Sequence, residues 1–462
     1  MKGLSSVLLY LSMAIQFVIL LTALLADSWG MASALAAAYL FSSALSFSSM
    51  VLDDLKGGIS YMFEFFMLFF IAVPALAQIN VGVFPWFATL QPSHICAAYG
   101  LLALSHLSFQ LGWKYQVKKM NLCESPAFSE ALSHQDSIFY SKWAWGLAIL
   151  ATLLAVAAGP SNLFVARSES AGLTFEGLAQ QFLFMCRSLS LLAIVMLMFL
   201  VKYTADSSLK RKNIYAILIF VPLFLIINYL PALPRFVLFG LFLALSTAFI
   251  NYFQPRNKAM MAFASVFTLF IIFPVIKSLG EGELNWSGFA DRADTGVITA
   301  YLLRVDFDAF MQVVSTLEYY MEDVGPILYG NNFIGVVLFF IPRALWASKP
   351  EPTGMLVSEE LGYSYLNVSS PLPAEALMAF GLLGPVLVFC ILGFIVAKVE
   401  SEVNSLKTAC INAQSYFIYA LLMGFIVIIL RGSLNAVAPM FATAFLALVF
   451  LQFFRKRQFS FQ

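Results

Sequence analysis

The sequence predicts an all-α polytopic membrane protein with about twelve transmembrane helices, and three observations carry that expectation. Hydrophobic residues make up 61% of the chain and charged residues only 11%, far from the balance of a soluble domain. Apolar runs close to the ~20 residues needed to cross a bilayer recur along its length. Lysine and arginine collect in alternate connections, as the positive-inside rule requires.

In order, the runs lie at 5–26, 31–52, 59–79, 93–113, 142–158, 178–201, 214–229, 236–252, 259–276, 376–397, 412–430 and 436–454. Modest tilt and fraying bring each to spanning length. The first is too long for the core of a cleaved signal peptide and has no clear small-residue cleavage site, so it reads as a retained helix. One long segment breaks the series, which divides the chain into membrane regions 1–276 and 376–462 around a loop domain, 277–375. No internal repeat relates the two membrane regions.

Orientation follows from the basic residues. With the N-terminus inside, Lys56, Lys114, Lys118, Lys119, Lys202, Lys210, Arg211, Lys212, Arg256, Lys398 and the tail Arg455-Lys456-Arg457 all fall on the cytoplasmic side. The short outer connections hold only Arg167, Arg235 and Arg431. Both termini are therefore expected in the cytoplasm, with the 277–375 loop outside. A net charge of +1 argues against a nucleic-acid partner. Cys96, Cys123, Cys186, Cys390 and Cys410 fall in spans or cytoplasmic connections, none placed for an outer disulfide and no pair at zinc-ligand spacing.

The loop holds thirteen acidic residues against five basic ones, so it repels anions except where arginines are focused. Residues 332–342 within it are as apolar as a membrane helix but about half as long, which suggests a short interfacial or re-entrant piece. Asp291, Asp294, Asp306, Asp308, Glu318 and Glu375 are candidates to bond sugar hydroxyls or to act as a general base. Tyr301, Tyr319, Tyr320, Trp346, Tyr363 and Tyr365 suit stacking on sugar rings, although an interfacial aromatic belt is the commoner use of such residues.

The arginines outside the basic connections are the sharpest signal. Arg187 lies inside a span, where insertion costs about 2.5 to 3.5 kcal/mol, so it is expected to face a cavity or a partner. Arg235 opens a run after Leu230-Pro231-Ala232-Leu233-Pro234, Arg431 closes another, Arg167 lies in an outer connection, and Arg304 and Arg343 belong to the loop. A guanidinium matches phosphate oxygens with paired charge-assisted bonds, so arginines converging at one leaflet suit a lipid-linked phosphate or pyrophosphate. A single such arginine more often snorkels to headgroups. His94 and His106, twelve residues apart on one run, read as core or interface residues. Glu64 reads as a snorkelling residue near the cytoplasmic end of its run. No metal pair, catalytic triad or phosphate-cradling glycine loop is apparent.

The order of these features resembles the Wzy-type O-antigen polymerases, the oligosaccharide repeat-unit polymerases. The resembling pieces are Asn162-Leu163-Phe164 with Arg167, then Arg187, Arg235, Leu303-Arg304 with Asp306, Ile341-Pro342-Arg343 with Leu345-Trp346 and Lys349-Pro350, Ser370-Pro371 with Gly381 and Gly384, and Arg431-Gly432 with Leu434. They span roughly the C-terminal two thirds of the chain. Ala347 stands where other members often have proline, and Val305 separates Arg304 from Asp306.

The resemblance implies a GT-C-like glycosyltransferase of the bacterial inner membrane with one large periplasmic loop after its ninth span. It would transfer a growing glycan from undecaprenyl pyrophosphate onto the next lipid-linked repeat unit, in O-antigen or related surface polysaccharide synthesis, and would need no cofactor. Its partners would be the undecaprenyl-pyrophosphate-linked oligosaccharide, the lipid bilayer and, as a candidate, a chain-length regulator. By the same carry-over Arg167, Arg187, Arg235, Arg304, Arg343, Lys349 and Arg431 would bind pyrophosphate or glycan, and Glu375 or Asp306 would be the base. The related O-antigen ligase is the rival activity, but its expected loop histidine is missing from 277–375. A flippase of lipid-linked glycans is the non-enzymatic rival, and it would be expected to show internal repeats and ionisable residues along its spans.

Overall fold

A computed structural model describes residues 2–120, 132–165, 178–273, 297–341, 343, 345–366, 368–404 and 412–459. The described residues form helices and contain no strand. Ten of the helices are long and apolar enough to cross a membrane, so the chain is an all-α polytopic membrane protein.

The N-terminal bundle comprises α1 (Lys2–Ala23), α2 (Trp29–Leu52), a third span made of α3 (Gly58–Phe66), a π-helical turn (Met67–Ala72) and α4 (Val73–Val81), and then α5 (Pro92–Met120). Next come α6 (His134–Ala158), α7 (Leu178–Tyr203), α8 (Ser207–Ile227), α9 (Arg235–Ser246) and α10 (Pro255–Phe267). The long segment forms α11 (Val297–Leu302), α12 (Ala309–Met321), α13 (Asn331–Val337), α14 (Thr353–Glu360) and α15 (Leu372–Phe380). It ends in the last three spans, α16 (Leu383–Asn404), α17 (Ala413–Arg431) and α18 (Leu434–Phe459). Side-chain caps start several of these helices: Ser28, Asp206 and Asn412 accept bonds from the otherwise unpaired backbone N–H groups of Met31, Ser208 and Ser415.

One of the twelve expected spans is shorter than the hydropathy suggested. The run at 236–252 becomes α9, of 12 residues. It stops at Ser246 because the Ser246 and Thr247 hydroxyls donate to the carbonyls of Leu243 and Ala244, each at 2.7 Å, which bonds part of the last turn locally. The run at 259–276 forms α10, of 13 residues, continued by a π-helical turn over Thr268–Ile272, and residues 274–276 lie outside the described residues. Glu64 also departs from expectation. It does not snorkel but lies fully buried, with Oε2 2.8 Å from Nε2 of the equally buried His106. That partner is on α5, where no pattern along α3 reveals it.

Small residues let the spans approach closely. Ser5 and Ser49 exchange bonds between α1 and α2, as do Ser12 and Ser42. A Cβ at Gly240 of α9 would lie 2.2 Å from the Gly424 carbonyl oxygen of α17. This contact decides where the site lies: α9 begins with Arg235 and α17 ends with Arg431, so the close crossing brings the two arginines to the same end of the bundle. Gly240→Val should force α9 and α17 apart at an overpacking cost of about 1 to 3 kcal/mol. Thermal unfolding of the purified protein in detergent checks this.

The long segment packs into that same end. α12 rests on α5, α14, α15 and the π-helical turn of the third span, burying Phe310, Val313, Val314 and Leu317. Gln78, near the end of α4, donates to the carbonyls of Leu302 and Phe307, both at 3.0 Å, and so holds the stretch that carries Arg304 and Asp306. The apolar piece expected at 332–342 forms the seven-residue α13, which docks on α18 and α15.

Candidate functional site

A cavity of about 640 Å³ opens where α9, α17 and α18 meet the long segment. Its wall includes Arg235, Asp306, Asp308, Arg431, Ser433 and Trp86. This volume lies within the usual ~300 to 1,000 Å³ of small-molecule sites.

Arg431 is the best-defined group. Its Nη2 donates to Asp308 Oδ1 at 3.0 Å and, more weakly, to the Val305 carbonyl at 3.4 Å, and its guanidinium lies 4.7 Å from the Phe236 ring centroid. Asp308 is buried, and its other oxygen accepts the Ser369 N–H at 3.0 Å. One carboxylate thus ties the end of α17 to the start of α12 and to the loop before α15. The Arg431 Nε is buried and has no hydrogen-bond partner among the described residues. A buried N–H left in that condition favours an incoming acceptor.

Arg235 stands opposite. Its Nη1 donates to the Phe273 carbonyl at 3.2 Å, and its Nη2 lies 3.9 Å from Asp306 Oδ2. Pro234 and Arg235 open α9 at the cavity wall, so the positive end of that helix dipole adds to the field there. Arg304 lies close by, half-buried at the turn before Asp306. Burial, then the Asp306 carboxylate, push the Tyr301 hydroxyl up to about 12, while Arg235 and Arg304 pull it back.

The remaining expected residues are placed differently. Arg187 is half-buried in α7 and donates from Nε to the Ile227 carbonyl at 3.3 Å. It lines a small void whose walls Val237 and Met440 also face the main cavity, so it sits one layer behind. Arg343 is exposed and donates to the Lys349 carbonyl at 2.8 Å. Lys349 in turn donates to the carbonyls of Phe339 and Ile341 at 2.7 and 2.9 Å. Burial, then the charge of Arg343, lower the Lys349 pKa. Both therefore bond the loop to itself, and neither reaches the cavity. Arg167, Asp291 and Asp294 lie outside the described residues.

Glu375 is fully buried and lies just behind the cavity wall. Oε1 accepts from Ser433 Oγ at 3.2 Å and the Leu434 N–H at 3.0 Å; Oε2 accepts from Asn332 Nδ2 at 2.8 Å and Thr353 Oγ1 at 2.7 Å. It joins α13, α14, α15 and α18, and both oxygens are occupied. Of the two carboxylates expected as base, Asp306 alone faces the cavity.

Trp86 was not anticipated. It has a left-handed backbone (φ 58°) and stacks on Tyr365 at 4.7 Å. Such a backbone costs about 1 to 3 kcal/mol in a bulky residue, and nothing in the local sequence announces it. Compared with family models, with curated proteins and with solved structures, the chain gives no match.

Proposed function

We propose that this protein is a bacterial inner-membrane glycosyltransferase that polymerises lipid-pyrophosphate-linked oligosaccharide repeat units, with the cavity at the loop end as its reaction site. The observation that carries the reading is the convergence of Arg235 and Arg431 with Asp306 on one cavity. The resemblance in the order of arginine motifs supports it independently.

In this reading Asp308 holds Arg431 in a fixed orientation, so that its unpartnered Nε and the Arg235 guanidinium face the pyrophosphate. The acceptor sugar hydroxyl attacks the anomeric carbon of the growing chain. The bond from that carbon to the pyrophosphate oxygen breaks, and the electron pair leaves with the lipid pyrophosphate. The Asp306 carboxylate takes the hydroxyl proton. Charge developing on the leaving oxygen meets cations already in place, which lowers the barrier without reorganisation of the site. Trp86 offers an apolar face for a sugar ring.

The test is the surface glycolipid profile of the source bacterium lacking the gene and complemented with variants. Arg235→Ala should remove the long ladder and leave the band that bears one repeat unit. Arg235→Lys keeps the charge but loses the fork, so polymer should fall by about 10- to 100-fold, the equivalent of a charge-assisted bond. Normal ladders from both variants would overturn the reading. Loss of every glycan-bearing band on deletion would replace it with export or ligation.

A further inference from the structure

We infer that His94, Glu318 and Glu322 form a binding site for a divalent transition-metal ion of the zinc type, which clamps α12 to the first turn of α5. One ligand atom from each residue lies within 4.8 Å of the others, and His94 Nε2 is 3.5 Å from Glu322 Oε1. Three donors on one tetrahedral ion at about 2.0 to 2.2 Å lie roughly 3.3 to 3.6 Å apart, so a modest side-chain rotation closes this cluster onto a metal, with water completing the tetrahedron. Imidazole with two carboxylates selects first-row ions over magnesium or calcium, which prefer oxygen alone.

Two further observations point to a cation. His94 is only 5% exposed and turns its Nε2 toward Glu322. Glu318 Oε2 is likewise shut from solvent and has no hydrogen-bond partner among the described residues. Glu318 and Glu322 also stand one helical turn apart at the C-terminal end of α12. Like charges at that spacing repel, and the negative end of the helix dipole opposes both. A bound cation removes each of these penalties.

The site is distinct from the cavity and does not rest on the polymerase reading. α12 begins directly after Asp308, and 13 residues of helix separate the two ends by about 20 Å. The ion would fix the far end of the helix whose near end is pinned to Arg431, so its role is positional.

The test uses full-length protein purified in detergent through a histidine-free tag, stripped with chelator and titrated with zinc alone. Bound metal is counted by elemental analysis after desalting. Wild type should retain about one equivalent per chain and unfold at a higher temperature with zinc than without. Glu318→Gln, Glu322→Gln and His94→Ala should each lose affinity by more than the ~10- to 100-fold typical of a missing outer-shell partner. Glu322 is half exposed, so Glu322→Gln should fold normally and, relieved of the repulsion from Glu318, unfold without zinc at or slightly above the wild-type temperature while lacking the zinc-dependent rise. No retention by wild type, or equal retention by wild type and Glu322→Gln, would overturn the site.

Discussion

Arg431→Ala is expected to abolish long polymer and to destabilise the loop end by about 3 kcal/mol, the lower part of the range for breaking a buried ion pair. The Asp308 side chain is 3% exposed and Arg431 21%, so water reaches the arginine in part and tempers the loss. What remains is a buried carboxylate with only the Ser369 N–H to hold it. Adding Asp308→Asn removes the stranded charge, and its amide oxygen still accepts from Ser369. The double variant should therefore recover most of the stability lost by the single one, read by thermal unfolding in detergent, and still make no polymer. Polymer from the double variant would mean that Arg431 serves the fold alone.

Glu375→Ala should have a stability effect at least as large, about 4 kcal/mol, since it strands four buried donors at once. Glu375→Gln keeps the shape but turns an amide N–H₂ toward groups that themselves donate, so it too should be destabilised. If Glu375 were instead the catalytic base, the glutamine variant would fold as wild type and fail only in turnover. That outcome would return the base role to it. Burial raises the Glu375 carboxyl above its ordinary 4.5 against its hydrogen-bond donors. For an acid whose folded value is raised, the contribution to stability is fully present below pH ~4.5 and is lost as pH rises through the raised value. The glutamine variant, which has no titrating group there, should lack that slope.

Ten spans were legible in the sequence because length and composition decide them locally. Where α9 ends was not legible: Phe249 and Ile250 beyond Ser246 are as apolar as the residues within the helix, and only the hydroxyl bonds of Ser246 and Thr247 close the last turn. Arg235 and Arg431 stood out because each was a charge at an apolar boundary, and Asp306 and Asp308 because they are carboxylates of the long segment. Their pairing did not, since Asp308 lies 123 residues from Arg431 and only the fold joins them. Arg343 and Lys349 gave the same signal as Arg235, a cation beside a proline at the outer face, yet they turn back on their own loop. Residue type and spacing cannot separate a guanidinium that bonds a carbonyl six residues away from one that faces a cavity. Glu375 was singled out for a charge ahead of an apolar run, whereas its burial depends on donors from α13, α14 and α18. His94 and Glu318 are 224 residues apart in the chain, so no spacing rule joins them.

The length of α9 bears on the lipid as well as on the protein. Twelve residues rise only about 18 Å, against the ~30 Å hydrocarbon thickness of an ordinary bilayer. Phe242 on α9 and Phe249 just beyond its end are exposed, at 56% and 79%, so this face suits contact with acyl chains. Lipids there must shorten or tilt to match, at fractions of a kcal/mol per Å. Thinning of that kind would draw the polar boundary of the leaflet inward toward the Arg235 end of the helix.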